Sequence, residues 1–355
     1  MIRLQLSVLF AGAVLLSGCA TVGYYSQSVG GHLRVWAKRQ DIEMLLQSEK
    51  TSDRLKQRLK LVSEIRRFAS RELKLPKNYS FRSYVDIRRD SIVYNVVAAP
   101  EFSVEPKKWC FPVLGCLAYK GYFNRRRAVA EALKLKRQGY DVAVEGVTAY
   151  STLGWFSDPV LNTFIGRSED QLAGLIFHEL THQVIYIKND TTFNESLATA
   201  VELTGIERWV RHRRRAPGLA KAYAANKRYE QAFIRFALGY RRRLKQLYAR
   251  AIPDSEKRRQ KKKILAQMQQ AYRQLKKGWG GYSGFDAWMA QGVNNARLST
   301  LATYYTHVRS FINLLAQHQG DMRAFYRAVK RIGALPKEQR DRVLSRLRQN
   351  KKVSY

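Results

Sequence analysis

The sequence predicts an α+β fold that is predominantly helical and contains a small sheet. Most of the chain places its apolar residues at the three- and four-residue spacing of amphipathic helices. Residues 79–104 and 141–155 depart from that spacing, because β-branched and aromatic residues there follow a period of two. The chain has 355 residues, and its 45% hydrophobic content is enough to bury a sizeable core.

The predicted helices are bounded by residues that typically begin or end a helix. They are 32–75 (a helical hairpin), 124–138, about 168–188, a stretch from 194 onward, and 294–331. Ser168 and Gln171, three residues apart, form a capping box at the start of the third helix. The run from Asp190 to Thr192 ends that helix before the next one begins.

Residues 207–277 carry an unusual density of positive charge, and we call them the basic hairpin. They contain runs such as Arg241-Arg-Arg and Lys261-Lys-Lys among helix-forming residues. Pro253-Asp254 predicts a turn, so two long amphipathic helices are expected on either side of it. The whole chain has 64 Lys and Arg against 28 Asp and Glu, a formal charge of +36. Such a surface favours anionic partners, although a basic face that only keeps the protein soluble is an equal alternative.

The N-terminus has the pattern of an export signal. Arg3 precedes an apolar run, Leu4 to Leu16, that is too short to span a bilayer comfortably. The following Ser17-Gly18-Cys19 resembles the bacterial lipobox, which predicts a signal peptide over 1–18 and lipidation of Cys19. The alternative is an uncleaved apolar anchor. Ala20 favours the outer membrane, so we expect a lipid-anchored envelope protein that faces the periplasm.

The two remaining cysteines form an even pair outside the cytosol, where disulfides persist. Cys110 and Cys116 flank a Phe-Pro-Val-Leu-Gly segment that can turn and bring the thiols together. A metal site is the competing interpretation, but no histidine lies nearby. We therefore predict a disulfide between Cys110 and Cys116.

The segment His178-Glu179-Leu180-Thr181-His182 carries the clearest chemistry. On a helix, residues i and i+4 lie on one face, so both imidazoles can bind one Zn²⁺ per chain. Glu179 lies beside them and can accept a proton from a water on the metal. A catalytic site needs a third protein ligand, and Glu195 is the first candidate.

Two other acids near this segment have alternative roles. Glu202 lies two turns beyond Glu195 on the same helical face, so it is either the third ligand or an acceptor for a ligand histidine. Asp190 is a second candidate acceptor, although a helix cap explains it equally well.

Several motifs together resemble a family of predicted bacterial aminopeptidases, which are lipoproteins with HExxH zinc sites. They are His-Glu-Leu-Thr-His-Gln at 178, Asn-Glu-Ser-Leu-Ala at 194, the Gly-Val-Thr-Ala-Tyr-Ser-Thr-Leu-Gly-Trp block at 146, the Trp-Cys-Phe-Pro-Val-Leu-Gly-Cys loop at 109 and Asn-Asn-Ala at 294. The Asn194 motif is similar to the Asn-Glu-x-x-Ala of gluzincins, with a shorter spacer. The resemblance implies a gluzincin-like zinc metallopeptidase acting on peptide substrates, with Glu195 as the third ligand.

Hydrolysis also needs a hydrogen-bond donor for the oxyanion. The resemblance to gluzincins implies a tyrosine or histidine from a more C-terminal helix, and Tyr304, Tyr305 and His307 are available. We favour Tyr304. Residues 146–155 are a candidate edge strand for pairing with an extended peptide, with a plain core strand as the alternative. Glu145 is a candidate to hold a substrate's free amine, and the choice between exo- and endopeptidase stays open.

These assignments predict the domain organisation. The signal peptide is followed by an N-terminal region and zinc-binding catalytic core (19–206), the basic hairpin, and a C-terminal helical part of the catalytic domain (278–355). The rival function is a non-catalytic envelope lipoprotein whose basic hairpin binds anionic lipid, lipopolysaccharide or peptidoglycan. Nucleic acid is not an expected partner, because export removes the protein from it and no nucleic-acid-binding motif occurs.

Overall fold

The computed structural model describes residue 24 and residues 26–111, 115–213 and 217–349. These ranges are mostly helical and contain small sheets, so the predicted α+β class is confirmed. The elements of the N-terminal half are α1 (26–36), β1 (Gln40–Asp41), α2 (Ile42–Gln47), α3 (Asp53–Arg71), β2 (Ser83–Val85), β3 (Val93–Pro100), β4 (Trp109–Phe111), β5 (Gly115–Leu117), β6 (Lys120–Tyr122), α4 (Arg125–Arg137), β7 (Tyr140–Val147), β8 (Val160–Leu161) and α5 (Asn162–Ile165).

The remaining described elements are all helices. They are α6 (Glu169–Thr181), α7 (Thr191–His212), α8 (Pro217–Tyr248), α9 (Asp254–Gly278), α10 (Asp286–Ala290), α11 (Asn295–Tyr305), α12 (Val308–Gln317), α13 (Met322–Gly333) and α14 (Lys337–Gln349). The two long helices predicted for the basic hairpin are confirmed as α8 and α9, with Pro253 at the N-cap of α9. Helix α7 continues across residue 207, where the basic hairpin begins.

Strand β3 is the centre of the larger sheet, whose order is β6-β3-β7 with antiparallel pairing throughout. Both faces of β3 are buried, because alternate residues point to opposite sides of a strand. Val96 and Ala98 pack with residues of α4, whereas Val97 and Ala99 pack with Ala296 at the start of α11. The sheet therefore lies between α4 and α11, and β6 and β7 are its two edge strands.

The main core is formed by α3, α6, α7, α12 and α13. Large side chains that are fully buried there include Ile65, Phe177, Phe311 and Phe325. A second, more aromatic cluster holds α8 and α9 together and includes Phe233, whose ring is stacked on that of Phe285 at 4.1 Å between centroids. Burial of such aromatic side chains accounts for much of the stability of helix–helix contacts.

Positive side chains of α9 bind acidic residues in and next to the strands of the larger sheet. Arg258 donates hydrogen bonds to both carboxylate oxygens of Glu101, at 2.6 and 2.8 Å. Lys261 is buried and lies 2.8 Å from Asp141 Oδ2. Part of the unusual charge in this region is therefore used within the molecule.

Three boundaries differ from the sequence prediction. The predicted 168–188 helix ends at Thr181, where the amide of Val184 bonds the carbonyl of Thr181 in a tighter turn. The predicted 294–331 helix is three helices, because the chain turns at 306–307 and again at 318–321. The range 32–75, predicted as one helical hairpin, contains the end of α1, strand β1 and the helices α2 and α3.

Smaller expectations were also wrong. Ser168 is the N-cap residue of α6, but no Gln171 capping box forms, since the Ser168 hydroxyl bonds Asp170 Oδ1 at 2.6 Å. The strand predicted over 141–155 ends at Val147, and the residues after it form a loop. The loop backbone is held by side chains instead of a strand partner, for example by Asp158, which accepts from the amide of Thr152 at 3.2 Å.

Candidate metal centre

Helix α6 places His178 in its last turn and His182 at its C-cap. The two imidazole centroids are 5.0 Å apart. The rest of the helix is anchored in the core by fully buried residues such as Leu172, Ile176 and Leu180. Because the apolar stripe fixes the rotation of the helix, both histidines are held on the face that meets α7.

Two glycines let α6 and α7 approach closely. A Cβ atom at Gly174 would lie 2.6 Å from Ile206 Cδ1, and a Cβ at Gly205 would lie 2.5 Å from Phe177 Cδ2. Both separations are shorter than real Cβ contacts, so a larger residue at either position would force the neighbouring side chain or the helix to shift. Close packing of these helices places the first turn of α7 next to the two histidines.

The loop between the two helices is fixed by Asn194 and Asp190. The side-chain amide of Asn194 accepts from the Ile187 amide and donates to the Ile187 carbonyl, both at 2.8 Å. Asp190 caps α7 by accepting from the Phe193 amide, and Arg340 donates to its Oδ2 through both Nε and Nη2. In the described part of the chain no hydrogen bond joins Asp190 to a histidine, so its observed role is the helix cap.

Glu195 follows in the first turn of α7 and faces both histidines. Its Oε2 lies 3.2 Å from His178 Nε2 and 3.6 Å from His182 Nε2. The three possible ligand atoms all lie within 4.8 Å of one another. Ligands of a tetrahedral zinc ion, at bonds of about 2.1 Å, are separated by about 3.4 Å. The donor set and its spacing therefore fit a metal ion.

The carboxylate of Glu202 contacts the other ring nitrogen of His178, Nδ1. Its Oε2 lies 3.0 Å from His178 Nδ1, two turns along α7 from Glu195. Of the two roles left open for Glu202, its position matches that of an orienting acceptor rather than a ligand. The matching atom of His182, Nδ1, is buried and has no hydrogen-bond partner in the described ranges.

Burial and charge act in opposite directions on this cluster. Burial alone raises the pKa of the Glu195 carboxyl, but the charge of His182 and hydrogen bonds from both histidines outweigh it and lower the pKa. Burial also raises the pKa of Glu179. The described residues form no hydrogen bond or ion pair with the Glu179 carboxylate, so it is unengaged beside His178.

Of the three candidate oxyanion donors, Tyr304 is the one that faces the histidines. Its ring lies stacked near that of His178, with centroids 6.0 Å apart. The charge of Glu195, followed by burial, raises the pKa of the Tyr304 hydroxyl well above its ordinary value, so the hydroxyl keeps its proton. The hydroxyl of Ser196, which follows Glu195, donates to the Thr303 carbonyl and joins α7 to α11 at this point.

The other two candidates make different contacts. The Tyr305 hydroxyl donates to Glu230 Oε1 on α8 at 2.7 Å. His307 lies at the N-cap of α12, and its backbone amide donates to Ser196 Oγ. Burial lowers the pKa of the His307 imidazole.

A cavity of about 190 Å³ adjoins Tyr304, and polar side chains form part of its lining. Tyr119 and Glu145 line it together with Val97, Val147 and Thr303. Burial, followed by the charge of Glu195, raises the pKa of Tyr119. Tyr119 was not predicted from the sequence; its position just after the Cys110–Cys116 loop was the one available signal.

Glu145 belongs to edge strand β7 and sits in this cavity without a hydrogen-bond partner among the described residues. Burial raises the pKa of its carboxyl, against the opposing charge of Arg297. A partly buried carboxylate in a cavity next to Tyr304 is available to a positively charged group of a ligand.

The predicted disulfide is present between Cys110 and Cys116, which are paired directly across the β4–β5 hairpin. The Cys116 amide donates to Asn189 Oδ1 at 2.8 Å, which ties this hairpin to the loop before α7. Cys19 and the predicted signal peptide lie outside the described residues. None of the described helices has both the length and the apolar character that a membrane span requires.

These features define an α+β protein with a buried group of two histidines and a glutamate that could hold a metal ion. The chain belongs to the family described as Putative aminopeptidase, whose model matches residues 23–344. No curated protein and no solved structure is significantly similar to it.

Proposed function

We propose that the protein is a zinc-dependent aminopeptidase of gluzincin type, anchored by a lipid on Cys19 to the bacterial outer membrane and facing the periplasm. The observation that carries the proposal is the convergence of His178, His182 and Glu195 within metal-ligand distances on two tightly packed helices. Two nitrogens and one carboxylate oxygen are the ligand set of catalytic zinc in many hydrolases.

When bound, zinc would supply Lewis acidity, polarising the scissile carbonyl and making a water easier to deprotonate. Glu179 is the base that takes the proton of the attacking water and later delivers it to the leaving amine. Burial raises the pKa of this carboxyl, which favours the first half of that transfer, the uptake of the proton. Glu202 keeps His178 in one orientation through the 3.0 Å contact with Nδ1.

Tyr304 is suited to stabilise the oxyanion. Its hydroxyl stays protonated, and its ring stacks near the His178 ring. A preorganised donor of this kind contributes most where charge develops in the transition state. Tyr119, in the same cavity, is a second donor within the site.

The assignment to an exopeptidase is supported by Glu145. An aminopeptidase must hold the free amine of its substrate near the scissile bond, and an unpaired carboxylate is the group that recognises an ammonium. Glu145 and Tyr304 line the same cavity of about 190 Å³, which limits the size of what can enter. Edge strand β7, which carries Glu145, also offers backbone groups for pairing with an extended peptide.

The deciding experiment is cleavage profiling of the zinc-loaded protein with two matched peptide libraries, one with free and one with acetylated N-termini. We expect single residues to be released from the free library and cleavage to be lost on acetylation. Equal cleavage of both libraries would refute aminopeptidase activity while leaving metallopeptidase activity intact.

The rival proposal is a non-catalytic lipoprotein that binds anionic lipid, lipopolysaccharide or peptidoglycan through the basic hairpin. Exposed positive side chains remain on both of its long helices, for example Arg242 and Lys262. Metal analysis together with cleavage of a peptide library separates the two proposals. The rival predicts an inert protein whose zinc site is vestigial or structural and which binds lipid with strong salt dependence. Nucleic acid is not proposed as a partner.

A further inference from the structure

A cluster of exposed apolar side chains lies on α1 and on the loop that follows β7. Eight large hydrophobic side chains are exposed in the described ranges, and five of them belong to this cluster. They are Val29, Leu33, Trp36, Trp155 and Phe156, and we call them the apolar face. Single exposed apolar residues are ordinary, whereas a concentration of them in one place marks an interaction surface.

The helix and the loop are adjacent. Val29, Leu33 and Trp36 lie on one side of α1, because they are spaced by four and three residues. The ring centroids of His32 and Phe156 are 4.6 Å apart. Arg39 donates from Nη1 to the carbonyl of Ser157 at 3.3 Å, which adds a second bridge between the segments.

Positive charge flanks the apolar face. Arg34 is exposed on α1 and Lys38 is exposed in the turn just after it, and in the described part of the chain neither forms an ion pair with a carboxylate. Arg39 lies over the Trp36 ring, with its guanidinium carbon 4.3 Å from the ring centroid. Tryptophan beside lysine and arginine is the composition of surfaces that lie in the headgroup region of an anionic bilayer.

The chain position of α1 points to the same partner. Ser26, the first residue of the continuously described part of α1, follows Cys19 by seven residues, which can span at most about 25 Å when fully extended. A lipid on Cys19 would therefore keep α1 close to the bilayer surface. This step rests on the proposed lipid anchor, whereas the apolar face itself is observed independently of it.

We propose that the apolar face is a membrane-docking surface that inserts at headgroup level into a bilayer containing anionic phospholipid. The same contact orients the metal centre. Asp158, at the end of the loop that carries Trp155, accepts a hydrogen bond from Gln183 Nε2 at 3.1 Å. Gln183 follows His182 in the chain, so the docked loop and the candidate metal ligands belong to one connected block.

The test uses the full lipidated protein in vesicles of phosphatidylcholine and phosphatidylglycerol. Leu33→Cys and Trp155→Cys each introduce a thiol for a polarity-sensitive fluorophore. The native cysteines do not compete, since Cys110 and Cys116 form a disulfide and Cys19 would carry the lipid. Leu133→Cys is the matched control, because Leu133 is 52% exposed and Leu33 is 53% exposed.

We expect fluorophores at positions 33 and 155 to shift to the blue and to be quenched by nitroxide-bearing lipids. The fluorophore at position 133 should respond only to aqueous iodide. Equal access of iodide at all three positions would overturn the proposal and leave a protein partner for the face. In pure phosphatidylcholine a smaller shift is expected, and an undiminished one would refute the preference for anionic lipid.

Separate measurements test the lipid anchor and the apolar face. The mass of the mature N-terminus reports whether Cys19 is lipidated. If it is not, Cys19→Ser is added so that only position 33 carries the fluorophore, the protein is mixed with excess vesicles, and a blue shift still supports the face. The absence of a shift in that mixture counts against it.

Discussion

Glu202 Oε2 lies 3.0 Å from Nδ1 of His178, while Glu195 Oε2 lies 3.2 Å from Nε2 of the same ring. Both nitrogens of one imidazole are thus engaged by carboxylates of one helix, two turns apart. The pair fixes the orientation of the ring and assigns different roles to two glutamates that look alike in the sequence.

Loss of the Glu202 carboxylate should weaken metal binding. We expect Glu202→Gln to lower zinc affinity by about 10- to 100-fold, because the amide is a weaker acceptor for the imidazole N–H. Competition with a chelating dye measures the affinity without relying on activity. Glu207→Gln, on the same helix but paired with Lys227, is the control and should bind zinc normally. Unchanged affinity in Glu202→Gln would show that the contact does not orient the ligand.

Glu179 should be required for turnover but not for metal. We expect Glu179→Gln to reduce kcat by about 10²- to 10⁴-fold, the usual contribution of a general base. The zinc content of the purified protein should stay at one per chain, since Glu179 is not among the three grouped ligands. A variant that keeps full turnover would eliminate Glu179 as the base.

A methyl group added where α6 and α7 approach closely should destabilise the protein. We expect Gly205→Ala to lower the free energy of unfolding by about 1–3 kcal/mol, the cost of overpacking a core, and to weaken zinc binding. Gly239→Ala is the matched control, because a Cβ there has no atom within 4 Å in helix α8. It should stabilise the protein by up to about 1 kcal/mol through helix propensity. Chemical denaturation of both variants checks the contrast, which fails if the two alanines behave alike.

Asp158 should make stability depend on pH. Burial raises the pKa of its carboxyl from 3.8 to about 6, although hydrogen bonds from Thr152 oppose the shift. The folded protein therefore binds this proton more tightly than the unfolded chain does. Its contribution is most favourable below pH 4 and is lost as the pH rises through about 6.

A shift of about two pKa units corresponds to about 3 kcal/mol. We expect Asp158→Asn to gain up to that amount in unfolding free energy, relative to the parent protein, between pH 4 and pH 7. Denaturation curves of both proteins at each pH give the difference in unfolding free energy. The contributions of other titrating groups cancel in this difference. A difference that is constant across this range would contradict the assignment.

The sequence determined those features that depend on local spacing. The four-residue interval of His178 and His182 puts both rings on one helical face wherever the helix lies. The apolar periodicity of α8 and α9 and the separation of Cys110 from Cys116 are equally local. The structure contains the helix that carries both histidines, the two long helices and the disulfide.

Only the tertiary structure decided the roles that depend on distance between elements. Glu195 and Glu202 share one helical face, and their separation into a candidate ligand and an orienting acceptor follows from how closely α6 meets α7 across Gly174 and Gly205. Tyr304 rather than Tyr305 faces the histidines because Ser196 fixes α11 against α7. Glu145 adjoins the site because the sheet packs against α11. Periodicity gives the direction of a side chain from its own helix or strand, whereas close packing between elements determines which side chain it meets.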